Sequence, residues 1–267
     1  MTIKQTDTRE QYFKDLQNRH IIEHCPSESS ESVWYLSHHC VWKEKLRVVF
    51  DGSFGTPSLN DMLLTGPNLL NVIPVCLTSY RLYAYPVTAD IEKAFLQIGI
   101  LESDRDYTRF ILDGKDYRFC RVPFGLTCSP ALLNSSLRLL YDSAEAQFPE
   151  TVTRLRFSTY VDDVLASFPG QSSLVKFKTE SIELFNLASM NLRGWTSTPS
   201  KVLGVTINVD SGILVLLLND HSFLDSSRRN RVLQCFLIRP FGPVPFMDHP
   251  IEDFVAKKME SWFVLGC

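Results

Sequence analysis

The chain has 267 residues, of which 45% are hydrophobic and 21% are charged. These proportions are typical of a globular protein and exclude wholesale disorder, a collagen-like repeat and a disulfide-rich miniprotein. The formal net charge is -3, so a nucleic-acid partner would need a local basic groove rather than a wholly basic surface. The longest strongly apolar run, residues 213–218, is far shorter than the ~20 residues of a membrane helix, so no membrane partner is expected.

The cysteine content indicates a reducing environment. The seven cysteines are odd in number, and no two are spaced as Cys-x-x-Cys. The first ten residues are polar and charged, unlike a secretory signal, so we expect an intracellular protein with mostly buried, reduced thiols. His20 and His24 are spaced to share a helix face near Cys25 and Cys40, but this spacing fits no standard zinc pattern. A zinc-binding module is therefore the weaker alternative.

Hydrophobic spacing predicts the elements of the first half of the chain. Residues 9–24 have helical periodicity, so residues 1–32 are predicted to be an N-terminal helix and a linker. Residues 33–50 alternate in the manner of two strands. Residues 86–89 predict a short strand that leads directly into Asp90.

A hairpin and a helix follow. Asp113 and Gly114 lie between two alternating runs, which is a strong signal for a two-residue hairpin turn. Ser129 and Pro130 predict the start of a helix, with serine as the N-cap and proline at the first helical position. The predicted buried face of this helix comprises Leu132, Leu133, Leu137, Leu140 and Tyr141.

The second half of the chain predicts a further hairpin. Residues 155–160 alternate as a strand, and residues 164–168 are its returning partner. Residues 177–191 are helical in pattern, and residues 202–218 predict two strands around the turn at 210–212.

Two adjacent acids, Asp162 and Asp163, fall at the tip of that first hairpin. Carboxylates about 4 Å apart repel by about 4 kcal/mol at an effective dielectric near 20, so a positive partner should offset them. Oxygen-only ligands suit Mg²⁺ or Mn²⁺, and Asp90 could converge with the pair on two metal ions. Taken singly, an Asp-Asp turn is usually solvated and a lone aspartate often caps a helix. The three aspartates therefore indicate a metal site only when they are considered together.

Four motifs occur in order along the chain. They are Leu46-Arg47-Val48-Val49-Phe50-Asp51, followed by Ser58-Leu59-Asn60-Asp61 and Leu64-Thr65-Gly66-Pro67-Asn68; Thr88-Ala89-Asp90-Ile91-Glu92-Lys93-Ala94-Phe95-Leu96-Gln97; Arg121-Val122-Pro123-Phe124-Gly125-Leu126-Thr127-Cys128-Ser129-Pro130; and Tyr160-Val161-Asp162-Asp163. In this order they resemble the motifs of reverse transcriptases. The first most resembles the BEL/Pao group of long-terminal-repeat retrotransposons.

The resemblance implies an α+β, right-hand polymerase fold with an antiparallel palm sheet backed by helices. Residues 33–215 would form fingers and palm, with fingers from residues 33–89 and 107–129. Residues 216–267 would be a degenerate C-terminal segment with an incomplete thumb. The implied activity is an RNA-directed DNA polymerase core that adds dNTPs to a primer 3′ end. It would act on an RNA or DNA template–primer duplex, in the cytoplasm or a virus-like particle.

The resemblance also implies roles for single residues. Asp90 and Asp162 would be the main ligands of two Mg²⁺ or Mn²⁺ ions, with the backbone carbonyl of Ile91 assisting. Asp163 would be the third acid, nearer the primer end. Arg47 would contact the incoming triphosphate, which suits the planar, bidentate guanidinium. Without the resemblance, Arg47 could equally be a solvated edge charge.

The remaining roles concern the nucleotide pocket. Lys45 or Lys43 would assist at the triphosphate. Phe95 would lie under the sugar and exclude a 2′-hydroxyl, and Phe124 and Gly125 would pack near the base and sugar. Without the resemblance, the two phenylalanines would be read as core residues and Gly125 as a turn.

The resemblance weakens near the C-terminus. Arg239 stands where an acid is expected before Pro240, and the chain contains no RNase H acid cluster, integrase zinc motif or protease triplet. Such elements encode these domains as one polyprotein, so the chain resembles a fragment. The alternative hypothesis is a catalytically inactive remnant, a folded palm that binds nucleic acid or a partner. The oligomeric state stays open.

Overall fold

A computed structural model of the chain describes residues 3–26, 32–42, 45–197, 201–203, 205–208 and 213–215. The chain divides into two units, of which the first comprises residues 1–67, 91–146 and 184–191 and the second residues 68–90, 147–183 and 192–267. The predicted degenerate segment, residues 216–267, lies outside the described residues. No helix in the described ranges is long and apolar enough to cross a membrane.

The described residues form six α-helices and twelve strands. The helices are α1 (Ile3–Asn18), α2 (Leu59–Met62), α3 (Val72–Arg81), α4 (Ser129–Ala144), α5 (Pro149–Ser158) and α6 (Gln171–Leu187). The strands are β1 (Ile22–His24), β2 (Ser37–Trp42), β3 (Leu46–Asp51), β4 (Tyr85–Ile91), β5 (Arg109–Leu112), β6 (Lys115–Phe119), β7 (Thr159–Tyr160), β8 (Asp163–Phe168), β9 (Leu192–Thr196), β10 (Lys201–Val202), β11 (Val205–Asn208) and β12 (Ile213–Val215).

The first unit contains an antiparallel sheet and a separate hairpin around an aromatic core. The sheet has the order β1-β6-β5, and β2 pairs with β3. The β5–β6 turn is formed by Asp113 and Gly114 at φ 51° and 75°, which confirms the hairpin predicted from this dipeptide. Phe50, Phe110 and Phe119 are buried and make edge-to-face or tilted ring contacts, with the Phe50 and Phe110 centroids 5.1 Å apart.

The N-terminal prediction was wrong beyond the end of the helix. α1 ends at Asn18, His20 has a left-handed φ of 51°, and the next residues form β1, which pairs with β6. Ile21 and Ile22 are buried in the core although they are not helical. Their apolar side chains therefore extended the apparent helical periodicity past the true end of α1. His20 and His24 consequently share no helix face, which removes the spacing on which the zinc alternative depended.

The second unit is built on an antiparallel sheet of order β7-β8-β4-β9. Helix α3 packs against β8, and Ile73, Cys76, Leu77 and Leu165 are buried together in one core cluster. This is the antiparallel sheet backed by helices that the resemblance implies. Residues 68–89 were predicted to belong to the fingers, but they lie in this second unit because they form α3 and most of β4.

The strand predicted over residues 155–160 is mostly helix. α5 continues to Ser158, and the strand is limited to Thr159 and Tyr160. Val152, Leu155 and Ser158 are buried and three residues apart, a spacing that places side chains on the same face of an α-helix. The alternation in this segment was therefore accidental, and only its last two residues are extended.

The start of α4 also differs from its prediction. Cys128 is the N-cap, and Ser129 is the first helical residue, whose hydroxyl donates to the carbonyl of Pro123 at 3.0 Å. Leu133, Leu137 and Tyr141 are buried as predicted, whereas Leu132 is exposed. Nearer the C-terminus, β11 and β12 pair antiparallel, in agreement with the two strands predicted there.

A buried charged network ties β1 to the β5–β6 hairpin. The Arg109 Nε and Arg118 Nη1 groups donate to Asp106 Oδ1 at 2.9 and 3.1 Å, and the Arg118 Nε donates to Glu23 at 2.7 Å. Arg109 and Arg118 are 5% and 6% exposed, so water cannot compensate their buried charges and the carboxylates do so instead. The hydrogen bond from Arg109 lowers the pKa of Asp106.

We expect Asp106→Asn to destabilise the first unit by about 3 kcal/mol, because it leaves two buried guanidinium groups without their shared carboxylate. Since the folded pKa of Asp106 is lowered, its contribution is present above the unfolded pKa and is lost as the pH falls through the folded value. The free energy of unfolding in urea, measured for the wild type and Asp106→Asn between pH 3 and pH 7, checks this. The exposed Asp104→Asn is the control, and equal losses in both variants would contradict the assignment.

Candidate active site

The pairing of β4 with β8 brings two of the predicted acids together. Asp90 lies directly opposite Asp163 in the antiparallel register, and Tyr160 also pairs with Asp163. Directly opposed residues place their side chains on the same face of a sheet. Val161 and Asp162 form the two-residue tip between β7 and β8, so Asp162 is next to this pair along the chain.

The tip is conformationally strained. Val161 has a φ of 57°, in the left-handed region that a β-branched side chain rarely occupies. Such a backbone costs of order 1–3 kcal/mol and persists only where the surrounding structure holds it. The pairing of Tyr160 with Asp163 holds it here.

Arg193 on β9 is a basic partner of Asp90 that the sequence analysis missed. The Arg193 Nε lies 3.3 Å from Asp90 Oδ2, and the two side chains are 52% and 44% exposed. At this exposure the ion pair contributes only a few tenths of a kcal/mol. The next residue, Gly194, has a φ of 66°, and a Cβ there would overlap Asp90 Oδ1. A glycine at this position therefore lets β9 approach the Asp90 carboxylate.

Asp163 influences a buried thiol. Burial, together with the negative charge of Asp163, raises the pKa of Cys76 to about 12. Cys76 therefore stays protonated at neutral pH and acts as a small core residue. The expectation of mostly buried thiols holds for Cys76 alone among the five described cysteines, because Cys25, Cys40, Cys120 and Cys128 are partly exposed.

The acids suit a divalent cation by their chemistry. Their donors are carboxylate oxygens, which Mg²⁺ and Mn²⁺ prefer. The guanidinium of Arg193 already brings a positive charge to the Asp90 carboxylate. As placed, no three His, Cys, Asp or Glu side chains of the described ranges form a group that could hold a metal ion.

In the first unit, two predicted pocket residues are in contact. The Phe95 and Phe124 rings meet edge to face with centroids 4.9 Å apart. Their segments are joined by backbone and side-chain hydrogen bonds, from Val122 N to Ile98 O at 2.9 Å and from the Arg121 guanidinium to the Gln97 carbonyl at 3.1 Å. Phe124 is 50% exposed, so its ring remains accessible.

Gly125 follows Phe124 in a conformation that favours glycine. Its φ is 98°, and a Cβ there would overlap the carbonyl oxygen of Phe50. Gly52 approaches the same segment, since a Cβ on it would overlap the carbonyl oxygen of Gly125. The two backbones therefore touch where both residues lack a side chain.

Asn60 hydrogen-bonds both of these backbones. Its Nδ2 donates to the Gly125 carbonyl at 3.0 Å, its Oδ1 accepts from Thr127 N at 2.9 Å, and its own backbone N donates to the Gly52 carbonyl at 2.9 Å. The sequence placed Asn60 in a motif without giving it a role. Hydrophobic periodicity reports on local structure, so it does not indicate hydrogen bonds between residues more than sixty positions apart in the sequence.

The predicted triphosphate contacts lie at the start of β3. Arg47 and Lys45 are exposed, and no ion pair joins either to another described residue. Lys43 lies outside the described residues. Both cationic side chains are thus open to solvent in the first unit.

Known proteins similar to this chain were found by sequence. Residues 50–202, more than half of the chain, match the family model described as reverse transcriptase (RNA-dependent DNA polymerase). The chain is also 26% identical over 133 residues to the retrovirus-related Pol polyprotein from transposon gypsy of Drosophila melanogaster. That match covers 46% of this chain and 12% of the polyprotein.

The fold is similar to solved structures of a viral enzyme. The foamy viral protease-reverse transcriptase in complex with RNA/DNA hybrid matches with a TM-score of 0.58 and 20% identity, over 78% of this chain and 26% of that chain. A form of the same protein in complex with double-stranded DNA matches with a TM-score of 0.57 and 18% identity, over 80% of this chain and 34% of that chain. These matches show the fold, and this chain spans between 12% and 34% of the length of the proteins compared.

We expect Gly125→Ala to destabilise the first unit by about 2 kcal/mol or more, because it adds both positive-φ strain and an overlap with the Phe50 carbonyl. Gly114→Ala is the matched control, since Gly114 also has a positive φ but no atom lies within 4 Å of its added Cβ. Thermal and urea unfolding of both variants separates strain from overlap. Equal losses would contradict the close approach of the two backbones.

Proposed function

The chain belongs to the reverse transcriptase family, and from this membership we propose that it is the core of an RNA-directed DNA polymerase. In this proposal it adds dNTPs to the 3′ end of a primer. The observation that carries the proposal is the register of β4 and β8, with Asp90 opposite Asp163 and Asp162 at the adjoining tip. Phosphoryl transfer needs charge neutralisation and positioning more than covalent chemistry, and acids grouped in this way suit it.

The carboxylates would hold Mg²⁺ or Mn²⁺. We propose Asp90 and Asp162 as the main ligands, assisted by the Ile91 carbonyl, with Asp163 as the third acid. Divalent ions held by these residues would supply the positive charge that activates an attacking 3′ oxygen and stabilises a departing pyrophosphate. Before binding, Arg193 keeps the Asp90 carboxylate partly neutralised.

The first unit would bind the incoming nucleotide. Arg47 and Lys45 would contact its triphosphate, which their exposed positions on and beside β3 allow. Phe95 would exclude a 2′-hydroxyl by its bulk. Phe124 and Gly125 would pack near the base and sugar, and the contact of the Phe124 ring with Phe95 supports a common surface for the two rings.

A template–primer duplex is the proposed macromolecular partner. The similar viral protein is described in complex with RNA/DNA hybrid and with double-stranded DNA. A copying enzyme must read the duplex through its backbone and shape, because it accepts every sequence. The net charge of -3 makes a local basic surface necessary.

Within the family we propose the BEL/Pao group of long-terminal-repeat retrotransposons. The segment from Leu46 to Asp51 and the two short motifs that end at Asp61 and Asn68 support this assignment. Similarity to the gypsy polyprotein supports a retrotransposon origin more broadly.

A second candidate is a folded palm that no longer catalyses. The observation in its favour is that the Asp90 carboxylate faces Arg193, while the described acids form no ready group of three ligands. Such a protein would bind nucleic acid or a protein partner without extending a primer. Measuring extension directly distinguishes the two candidates.

We expect the full chain to extend a DNA primer on an RNA template with Mg²⁺ or Mn²⁺, and we expect Asp162→Asn to reduce the rate by about 10³-fold. Loss of one charge-stabilising group in a water-poor site has effects of this order. Primer extension resolved on denaturing gels provides the measurement, with the exposed Asp104→Asn as the charge-matched control. If the wild type and Asp162→Asn both show only background extension, the polymerase proposal is contradicted and the inactive palm is the remaining candidate.

We expect Phe95→Ala to admit ribonucleotides, because it removes the bulk that would meet a 2′-hydroxyl. The ratio of kcat/KM for a dNTP to that for the matching rNTP should fall by about 10- to 100-fold, the range that steric pockets provide. Phe54→Ala removes an exposed aromatic side chain of the same unit and serves as the control. A ratio unchanged by Phe95→Ala in an active chain would assign Phe95 to packing alone.

A further inference from the structure

We propose that Asn60 is a positioning residue for the nucleotide pocket. It would hold the Phe124–Gly125 segment against the end of β3 and thereby fix the Phe124 ring on Phe95. The inference rests on the proposed function, because the pocket has a role only if the chain binds nucleotides. It adds a residue that acts through others rather than one that touches substrate.

The hydrogen bonds of Asn60 use both ends of its amide. The Nδ2 group donates to the Gly125 carbonyl and to the Ser53 hydroxyl, at 3.0 and 2.8 Å, while Oδ1 accepts from Thr127 N at 2.9 Å. An asparagine can donate and accept from one short side chain, which aspartate and leucine cannot do. The side chain therefore matches one carbonyl and one N–H of the same loop.

Asn60 is itself held on a short, well-capped helix. Ser58 caps α2 by accepting from Asp61 N, and the Asp61 carboxylate accepts from Ser58 N in return, which is a complete capping box. Leu59, the neighbour of Asn60, is 4% exposed and packs in the core of the first unit. The amide thus projects from a rigid support toward the loop.

The loop needs this support because Phe124 has little packing of its own. Its ring is half exposed, and the described ring contact it makes is with Phe95. The loop is anchored before Phe124 by Val122 and after it by Ser129, whose hydroxyl donates to the Pro123 carbonyl. Between these anchors, Asn60 bonds Gly125 and Thr127, so it fixes the stretch that carries the Phe124 ring.

The same contact reaches the strand that carries Arg47. Gly125 lies against the Phe50 carbonyl on β3, and Asn60 N donates to the Gly52 carbonyl just after that strand. Asn60 therefore joins the segment that follows β3, through its backbone N and its bond to the Ser53 hydroxyl, to the Phe124–Gly125 loop, through its side chain. Its loss should loosen nucleotide binding without touching the acids.

The test is steady-state extension by the full chain with Asn60→Asp and Asn60→Ala. Asn60→Asp keeps the size and the acceptor for Thr127 N but sets a carboxylate oxygen against the Gly125 carbonyl. We expect either variant to raise the KM for dNTP about 10-fold, because it removes side-chain hydrogen bonds that hold the Phe124–Gly125 segment, while kcat changes less than about 3-fold. The dNTP-to-rNTP discrimination should fall as well.

Hydrogen exchange by mass spectrometry gives a readout that needs no catalysis. The Thr127 amide donates to Asn60 in the wild type, so peptides covering residues 124–127 should exchange faster in Asn60→Ala. Peptides covering β5 should be unchanged. Asn18→Ala, an exposed asparagine of the same unit, controls for the substitution, and Phe13→Leu controls for general weakening of the core.

The outcomes separate the two proposals. A wild-type chain that extends no primer contradicts the proposed function, and hydrogen exchange then reports on the Asn60 contacts alone. An active Asn60→Asp chain with unchanged KM and discrimination overturns the positioning role. The positioning role is also overturned if Phe13→Leu loses dNTP-to-rNTP discrimination to the same extent. The loss of discrimination would then follow the loss of stability rather than the loss of the Asn60 contacts. Should Asn60→Ala fail to fold, Asn60→Asp decides the question.

Discussion

The antiparallel pairing of β4 with β8 is the constraint on which the candidate site depends. Side chains alternate along a strand, so a shift of one residue in this register would send Asp90 to the opposite face from Asp163. The register is fixed by apolar residues on both strands, among which Val87, Leu165 and Ala166 are buried. Packing that has no catalytic purpose thereby determines where the carboxylates stand.

The first unit uses a different device to arrange its candidate residues. Its backbone segments approach through glycine, at Gly52 and Gly125, and an amide side chain fills the hydrogen bonds that such a contact exposes. Close backbone contact is rigid because it leaves no side-chain rotamers to adjust. The proposed nucleotide pocket, which would discriminate by the width of a sugar, would benefit from this rigidity.

The sequence predicted the parts of this protein that have local signals. The Asp113–Gly114 hairpin, the paired strands β2 and β3, and the acids at a hairpin tip were all expected and are present. Errors arose where local pattern was ambiguous, as in α5, whose apolar residues also fit alternation. The sequence did not indicate Arg193, because the proximity of β9 to Asp90 is set by sheet order, which no local pattern encodes.

The ion pair of Arg193 with Asp90 bears on how the chain reaches its folded state. Carboxylates that lie close together in a sheet repel one another, and this repulsion opposes folding. Without a counter-charge from the chain itself, the repulsion would persist until cations from solution offset it. A tethered guanidinium supplies a counter-charge from within the chain. Because this ion pair is half exposed and weak, it does not lock the Asp90 side chain in place. The Asp90 carboxylate is therefore partly neutralised as soon as β9 joins β4, without any ion from solution.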